Sequence, residues 1–104
     1  MVPAILEHRE DIADLCRRYG VIRLEVFGSA ARGTDFDADR SDIDFMIDLG
    51  ERSLTLTAYL DLKDELEALF GRSVDLIERK TVEQSRNYIR RKNILGNAEV
   101  VYAN

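Results

Sequence analysis

Two apolar runs, Val21-Ile22-Arg23-Leu24-Glu25-Val26-Phe27 and Ile43-Asp44-Phe45-Met46-Ile47, bracket a stretch that opens with Gly28-Ser29 and closes with Ser41-Asp42-Ile43-Asp44. Both runs have the length and residue types of strands. One strand must therefore end abruptly at Gly-Ser, and the next must begin with acids at alternate positions. The turn leads into Ala30-Ala31-Arg32, a short helix-compatible segment that lets backbone N–H groups and the Ser29 hydroxyl point at one spot. Such a spot favours phosphate oxygens. Strand side chains alternate between faces, so Asp42 and Asp44 leave the same face, roughly 6 to 7 Å apart. They can converge on one Mg2+, a hard cation that takes oxygen ligands and, beside nucleotide phosphates, typically uses one or two protein carboxylates.

The rest of the chain supplies helices and further strands. Ile5, Ile12, Leu15, Cys16 and Tyr19 recur at helical spacing after Pro3 and before Gly20, which predicts one helix. Ser53 or Thr55 can cap another, with Leu56, Tyr59, Leu60, the Lys63 stem, Leu66, Leu69 and Phe70 on one face and Gly71 as its stop. Ser73 to Glu78 reads as a strand. A basic helix is expected over Val82 to Leu95, with Tyr88, Ile89 and Ile94 inward and Gly96-Asn97 as its break. Glu99 to Tyr102 can add a last strand. The expectation is an α/β (α+β) domain, a small mixed β-sheet of three to four strands with helices packed on it. The link between the first two strands is too short for a comfortable helical crossover, so that pair is expected to be antiparallel; the helix before Val74 permits a crossover.

At 104 residues the chain has room for a single domain over 1–104 and no second core. No apolar run approaches the roughly 20 residues that cross a bilayer, and Glu7-His8-Arg9-Glu10-Asp11 follows too soon for a signal peptide, so a cytoplasmic location with no membrane contact is expected. Cys16 can form no internal disulfide and reads as a small buried apolar residue. A net charge of −5 argues against general nucleic-acid binding. The charge is uneven: Asp35, Asp37, Asp39, Asp42, Asp44, Asp48 and Glu51 crowd the middle, and Arg79, Lys80, Arg86, Arg90, Arg91 and Lys92 load the C-terminal third. The basic run suits either a polyphosphate or an acidic protein partner. His8 and Asp48 read as exposed, and Tyr59, Tyr88 and Tyr102 as packing residues.

Asp75 lies between Val74 and Leu76, where an acid inside an apolar run needs an explanation. If its strand neighbours that of Asp42, it can complete a triad around two cations, one activating a hydroxyl and one steadying a leaving pyrophosphate. Gly28-Ser29, Arg32-Gly33, Ser41-Asp42-Ile43-Asp44 and Val74-Asp75-Leu76 together resemble the signature of the DNA polymerase beta-type nucleotidyltransferase superfamily. The similarity is nearest to its smallest branch, the minimal nucleotidyltransferase (MNT) antitoxins that accompany HEPN-domain toxins, and runs from Leu15 to Tyr102. The Thr34 to Arg40 loop is longer than in the family's usual spacing.

The resemblance implies the nucleotidyltransferase fold and a protein adenylyltransferase that moves AMP from ATP to a tyrosine hydroxyl of a cognate HEPN RNase toxin and so neutralises it. It implies Asp42, Asp44 and Asp75 as catalytic, Mg2+-binding residues for two ions, and Gly28, Ser29, Arg32 and Ser41 as nucleotide-binding residues. A hetero-oligomer with the toxin, or a homodimer, follows from the same likeness. Two other classes stay open: an antitoxin that acts by binding alone, and a small-molecule transferase of the aminoglycoside type. The full carboxylate set favours an enzyme over mere binding, and the short chain lacks an obvious second domain to hold a small acceptor.

Overall fold

The computed structural model describes residues 2–32 and 42–104. The expected first helix is two, α1 (Pro3–Glu7) and α2 (Arg9–Tyr19), because His8 leaves helical geometry at φ −106°, ψ 16°. Tertiary contacts outweigh helical continuity there. The Val2 N–H donates to the Ala30 carbonyl at 3.0 Å, and the His8 ring packs edge-on against Phe70 at 5.4 Å, so His8 is half-buried rather than exposed. α2 is held by good local chemistry: acids Glu10 and Asp11 in its first turn, Arg17 and Arg18 in its last, and Gly20 in a left-handed cap.

Four strands follow the predicted order: β1 (Arg23–Phe27), β2 (Ile43–Asp48), β3 (Val74–Glu78) and β4 (Glu99–Ala103). The sheet order is β3-β2-β1-β4, with β1 antiparallel to both β2 and β4 and β2 parallel to β3. Helix α4 (Leu56–Phe70) makes the crossover between the parallel strands. A short helix, α3 (Ser29–Arg32), leaves the end of β1 and buries Ala30 and Ala31.

One sheet face carries Leu24, Val26, Ile43, Phe45, Ile47, Val74 and Leu76, which join Ile5, Ile12, Leu15, Cys16, Leu62 and Leu66 in one core. Cys16 is buried there as expected, and burial pushes its thiol up to about 12. α4 starts where the Thr55 hydroxyl accepts the Ala58 N–H at 3.1 Å and stops at Gly71. Its inward stripe is Tyr59, Leu62, Leu66, Leu69 and Phe70. Leu60 lies about 100° round the helix from Tyr59 and Leu56 sits in the open first turn, so both are exposed, against expectation.

The opposite face carries Met46 and Ile77, covered by α5 (Arg79–Glu83) and α6 (Tyr88–Asn97). The sequence predicted a single helix here. The Asn87 side chain instead accepts the Arg90 N–H at 3.0 Å and begins a new helix, which turns Tyr88 and Ile89 to solvent. Gly96 does not break α6, which runs to Asn97.

α2 and α4 are clasped by Glu65, whose carboxylate accepts hydrogen bonds from the Tyr19 hydroxyl and, at 3.2 Å, from Arg18. The Tyr19 hydrogen bond holds the Glu65 carboxyl below its usual range and pushes the phenol up to about 12. A lowered carboxylate supports the clasp above its ordinary pKa and loses that support as pH falls through the folded value. A raised phenol supports it below its ordinary pKa and loses that support as pH rises through about 12. In an alkaline absorbance titration Tyr19 should ionise after the ordinary tyrosine value of 10.0, and Glu65→Gln should bring it back toward that value; an unchanged titration in Glu65→Gln would refute the clasp.

Candidate active site

β1 ends at Phe27, whose Cα partner on β2 is Asp44; Asp44 in turn faces Asp75 on β3. Paired residues of neighbouring strands project to the same face, at Cα separations of about 5 Å. Asp44 and Asp75 therefore leave one face of the sheet at one end, the face opposite the main core. Asp42 is exposed immediately ahead of β2 and, two residues before Asp44, shares its side by alternation. The conditional expectation that the Asp75 strand neighbours the Asp42 strand is met.

Gly28 closes this end. Its φ is +68°, and a Cβ built on it would stand 2.5 Å from Oδ2 of Asp44. The bare Cα is thus a seat for the carboxylate as well as a turn residue. The Gly28 carbonyl accepts the Ala31 N–H at 3.2 Å, which starts α3 and aims the turn across the acidic edge. Ser29 and Arg32 belong to α3, but their side chains lie outside the described set. Ser41, with Asp35, Asp37 and Asp39 of the long loop, lies outside the described residues altogether.

The donors suit a hard divalent cation, since all three are carboxylates on one sheet face. Among the described residues, however, no three His, Cys, Asp or Glu side chains stand close enough to hold a metal ion. Register brings Asp44 and Asp75 to one edge without gathering three such side chains into a cluster.

The supporting roles of three residues escaped the sequence reading. Glu25, the one charged residue buried among the described residues, lies on the acidic face two positions before Phe27 and pairs with Arg79 and, at 3.4 Å, with Arg23. An acid between Leu24 and Val26 is the same signal that marked Asp75. Arg79 reaches over β2 from the end of β3, so the pair ties the two strands that flank Asp44. Glu67 on α4 accepts the Val74 N–H at 3.0 Å, satisfying the first donor of β3 beside Asp75, with the Lys63 ammonium 3.6 Å away. Asp48, expected to be exposed, is half-buried and accepts the Gly50 N–H at 2.9 Å, ending β2.

A glycine turn that seats one carboxylate, with a second facing it across parallel strands, defines a domain built for chemistry on a polyphosphate. The comparisons agree. The family described as Nucleotidyltransferase domain matches residues 9–97. The protein adenylyltransferase MntA of Thermococcus cleftensis is 36% identical over 70 residues, covering 67% of this chain and 68% of its own. A solved structure of a candidate minimal nucleotidyltransferase superposes with a TM-score of 0.70 at 33% identity, covering 91% of this chain and 90% of that one. The structure of a tri-AMPylated Shewanella oneidensis HEPN toxin with its MNT antitoxin gives a TM-score of 0.65 at 17% identity, over 96% of this chain and 73% of that one. The chain belongs to the nucleotidyltransferase family.

Two predictions follow from the packing at this edge. Gly71 has φ +65° and no atom within 4 Å of its Cβ position, so Gly71→Ala should cost only the left-handed penalty of about 1 kcal/mol. Gly28→Ala should cost about 1 to 3 kcal/mol more from overpacking, and that excess should vanish in an Asp44→Ala background when denaturant midpoints are compared in a double-mutant cycle. Arg79→Met should destabilise by about 3 kcal/mol by leaving the buried Glu25 carboxylate to Arg23 alone, whereas Glu25→Met with Arg79→Met should recover most of that loss.

Proposed function

We propose that this chain is an antitoxin that transfers AMP from ATP to a tyrosine hydroxyl of a cognate HEPN RNase toxin. The observation that carries the reading is the register of Asp44 opposite Asp75, on one sheet face beside the Gly28 turn. Likeness to a protein adenylyltransferase and to an antitoxin solved with its AMPylated toxin supports the choice of substrate and partner. The pair acts in the cytoplasm; no described helix is long and apolar enough to cross a membrane.

Asp42, Asp44 and Asp75 would hold Mg2+, two ions in all, which when bound neutralise phosphate charge and lower the cost of the leaving pyrophosphate. The backbone of Gly28 and residues Ser29, Arg32 and Ser41 bind the triphosphate. Asp75 takes the proton of the acceptor hydroxyl, whose oxygen bonds to the α-phosphorus while the bond from that phosphorus to the β-phosphate oxygen breaks. Pyrophosphate leaves, and the tyrosine carries AMP through a phosphodiester. The added anion opposes RNA at the toxin's own site.

Incubated with a cognate HEPN toxin, ATP and Mg2+, the chain should add AMP-sized increments to the toxin, read by intact-mass spectrometry. Asp42→Asn with Asp44→Asn should slow transfer by at least about a hundredfold, and chelation of Mg2+ should stop it. Transfer at the wild-type rate in that double variant would overturn the site assignment. Full protection of cells by the same variant would favour neutralisation by binding alone.

A further inference from the structure

α6 packs lightly and leaves its first two side chains in solvent, Tyr88 60% and Ile89 70% exposed. Beside them a cavity of about 100 Å³ opens between α5 and α6, walled by Ile77, Val82 and Ile94, with Arg90 and Arg91 also lining it. This volume is somewhat smaller than one that accepts benzene, and suits an aliphatic side chain. Arg91 is fixed in place: its guanidinium donates to the Ser85 carbonyl at 2.8 Å and stands 5.7 Å from the centre of the Tyr88 ring. Residues 84–98 hold Arg86, Arg90, Arg91 and Lys92 and no acid, in a chain whose net charge is −5.

We propose that the first turn of α6, with the cavity beside it, is the surface on which this chain recognises its protein acceptor. The matching element is an acceptor segment that carries an aliphatic side chain flanked by carboxylates. This inference rests on the reading of the chain as a protein-modifying transferase, and it locates recognition. The one-signed positive stretch on an acidic protein selects an acidic partner. The exposed Tyr88 and Ile89 side chains select protein over nucleic acid, since adjacent large apolar groups mark protein contacts and the overall negative charge opposes a polyanion.

Position supports the same assignment. α5 and α6 cover the sheet face that also carries Asp44 and Asp75. The far end of α6, Asn97, lies two residues before Glu99, whose partner is Val26 near the Gly28 turn. Tyr88 is about 13 Å along the helix from that end. A partner of ordinary footprint spans both, so docking at α6 leaves its tyrosine free to reach the carboxylates. Recognition and chemistry are then separate: changes at α6 alter acceptor affinity and leave nucleotide binding alone.

The test is calorimetric titration of the Asp42→Asn, Asp44→Asn chain with a cognate HEPN toxin, so that binding is read without chemistry. Adding Ile89→Asp and Arg90→Glu, both at exposed positions, should weaken toxin binding at least about tenfold, while Leu60→Asp on α4 should leave it unchanged. The same pair of substitutions in the otherwise native chain should leave ATP–Mg2+ affinity and circular dichroism unchanged. Toxin affinity unaltered by Ile89→Asp and Arg90→Glu would overturn the inference, as would a single-stranded RNA oligonucleotide binding here in place of toxin. If these substitutions abolish toxin binding but the native chain adds no AMP, the docking surface stands and the transferase reading falls. If AMP is added and the substitutions change nothing, the reverse holds.

Discussion

At the end of β1 the chain turns against a carboxylate. Oδ2 of Asp44 occupies the place that any side chain other than hydrogen would need at Gly28, whose backbone is already left-handed at φ +68°. The contact depends on β1 and β2 being antiparallel in the register that sets Phe27 against Asp44. A slip of one residue would move Asp44 to the core face, where Phe45 now packs. Turn, register and acid position are therefore one constraint. The apolar alternation of β2 enforces it from the core side, and the glycine enforces it from the other.

That acidic edge has an electrostatic cost, and the surrounding fold organises it. Glu25 shares the face with Asp44 and Asp75, yet it is buried, so it must be paired. Arg79 and Arg23 do this. These cations are thereby committed to structure. Glu67 acts similarly on the other side, where its oxygen takes the Val74 N–H that an edge strand leaves unsatisfied. Glu25 and Glu67 thus hold still the strands that carry Asp44 and Asp75.

Sequence showed the parts of this arrangement that are periodic or covalently local. The alternation in β1 and β2, the short link between them and the helix before β3 were enough for mixed strand pairing and for Asp44 and Asp75 on neighbouring strands. Less legible were features decided by distant contacts. His8 interrupts a helix whose spacing is unbroken, because Phe70, far along the chain, offers its ring a place. Leu56, Leu60, Tyr88 and Ile89 are apolar at plausible inward positions, yet the helix starts and rotation that decide their exposure are set outside the periodic pattern. The Glu25–Arg79 pair spans 54 residues and leaves only an acid in an apolar run as its trace. Ser41 and the side chains of Ser29 and Arg32 stand on the sequence pattern alone.

The exposed apolar side chains of α6 and the division of charge have a common logic. A chain of net charge −5 repels a polyanion, and it repels an acidic partner wherever its own acids face outward. An acidic protein can approach favourably only over the stretch where basic residues are unopposed. In residues 84–98 that stretch coincides with two large side chains in solvent and a cavity lined by the same helix. Exposing Ile89 carries a hydrophobic penalty in the free chain, which burial against a partner would relieve. The fold keeps its acids at the end of the sheet where β1 turns, and its basic, apolar contact surface a helix length away on the same side. A partner held by the second therefore presents itself to the first without the acids having to attract it.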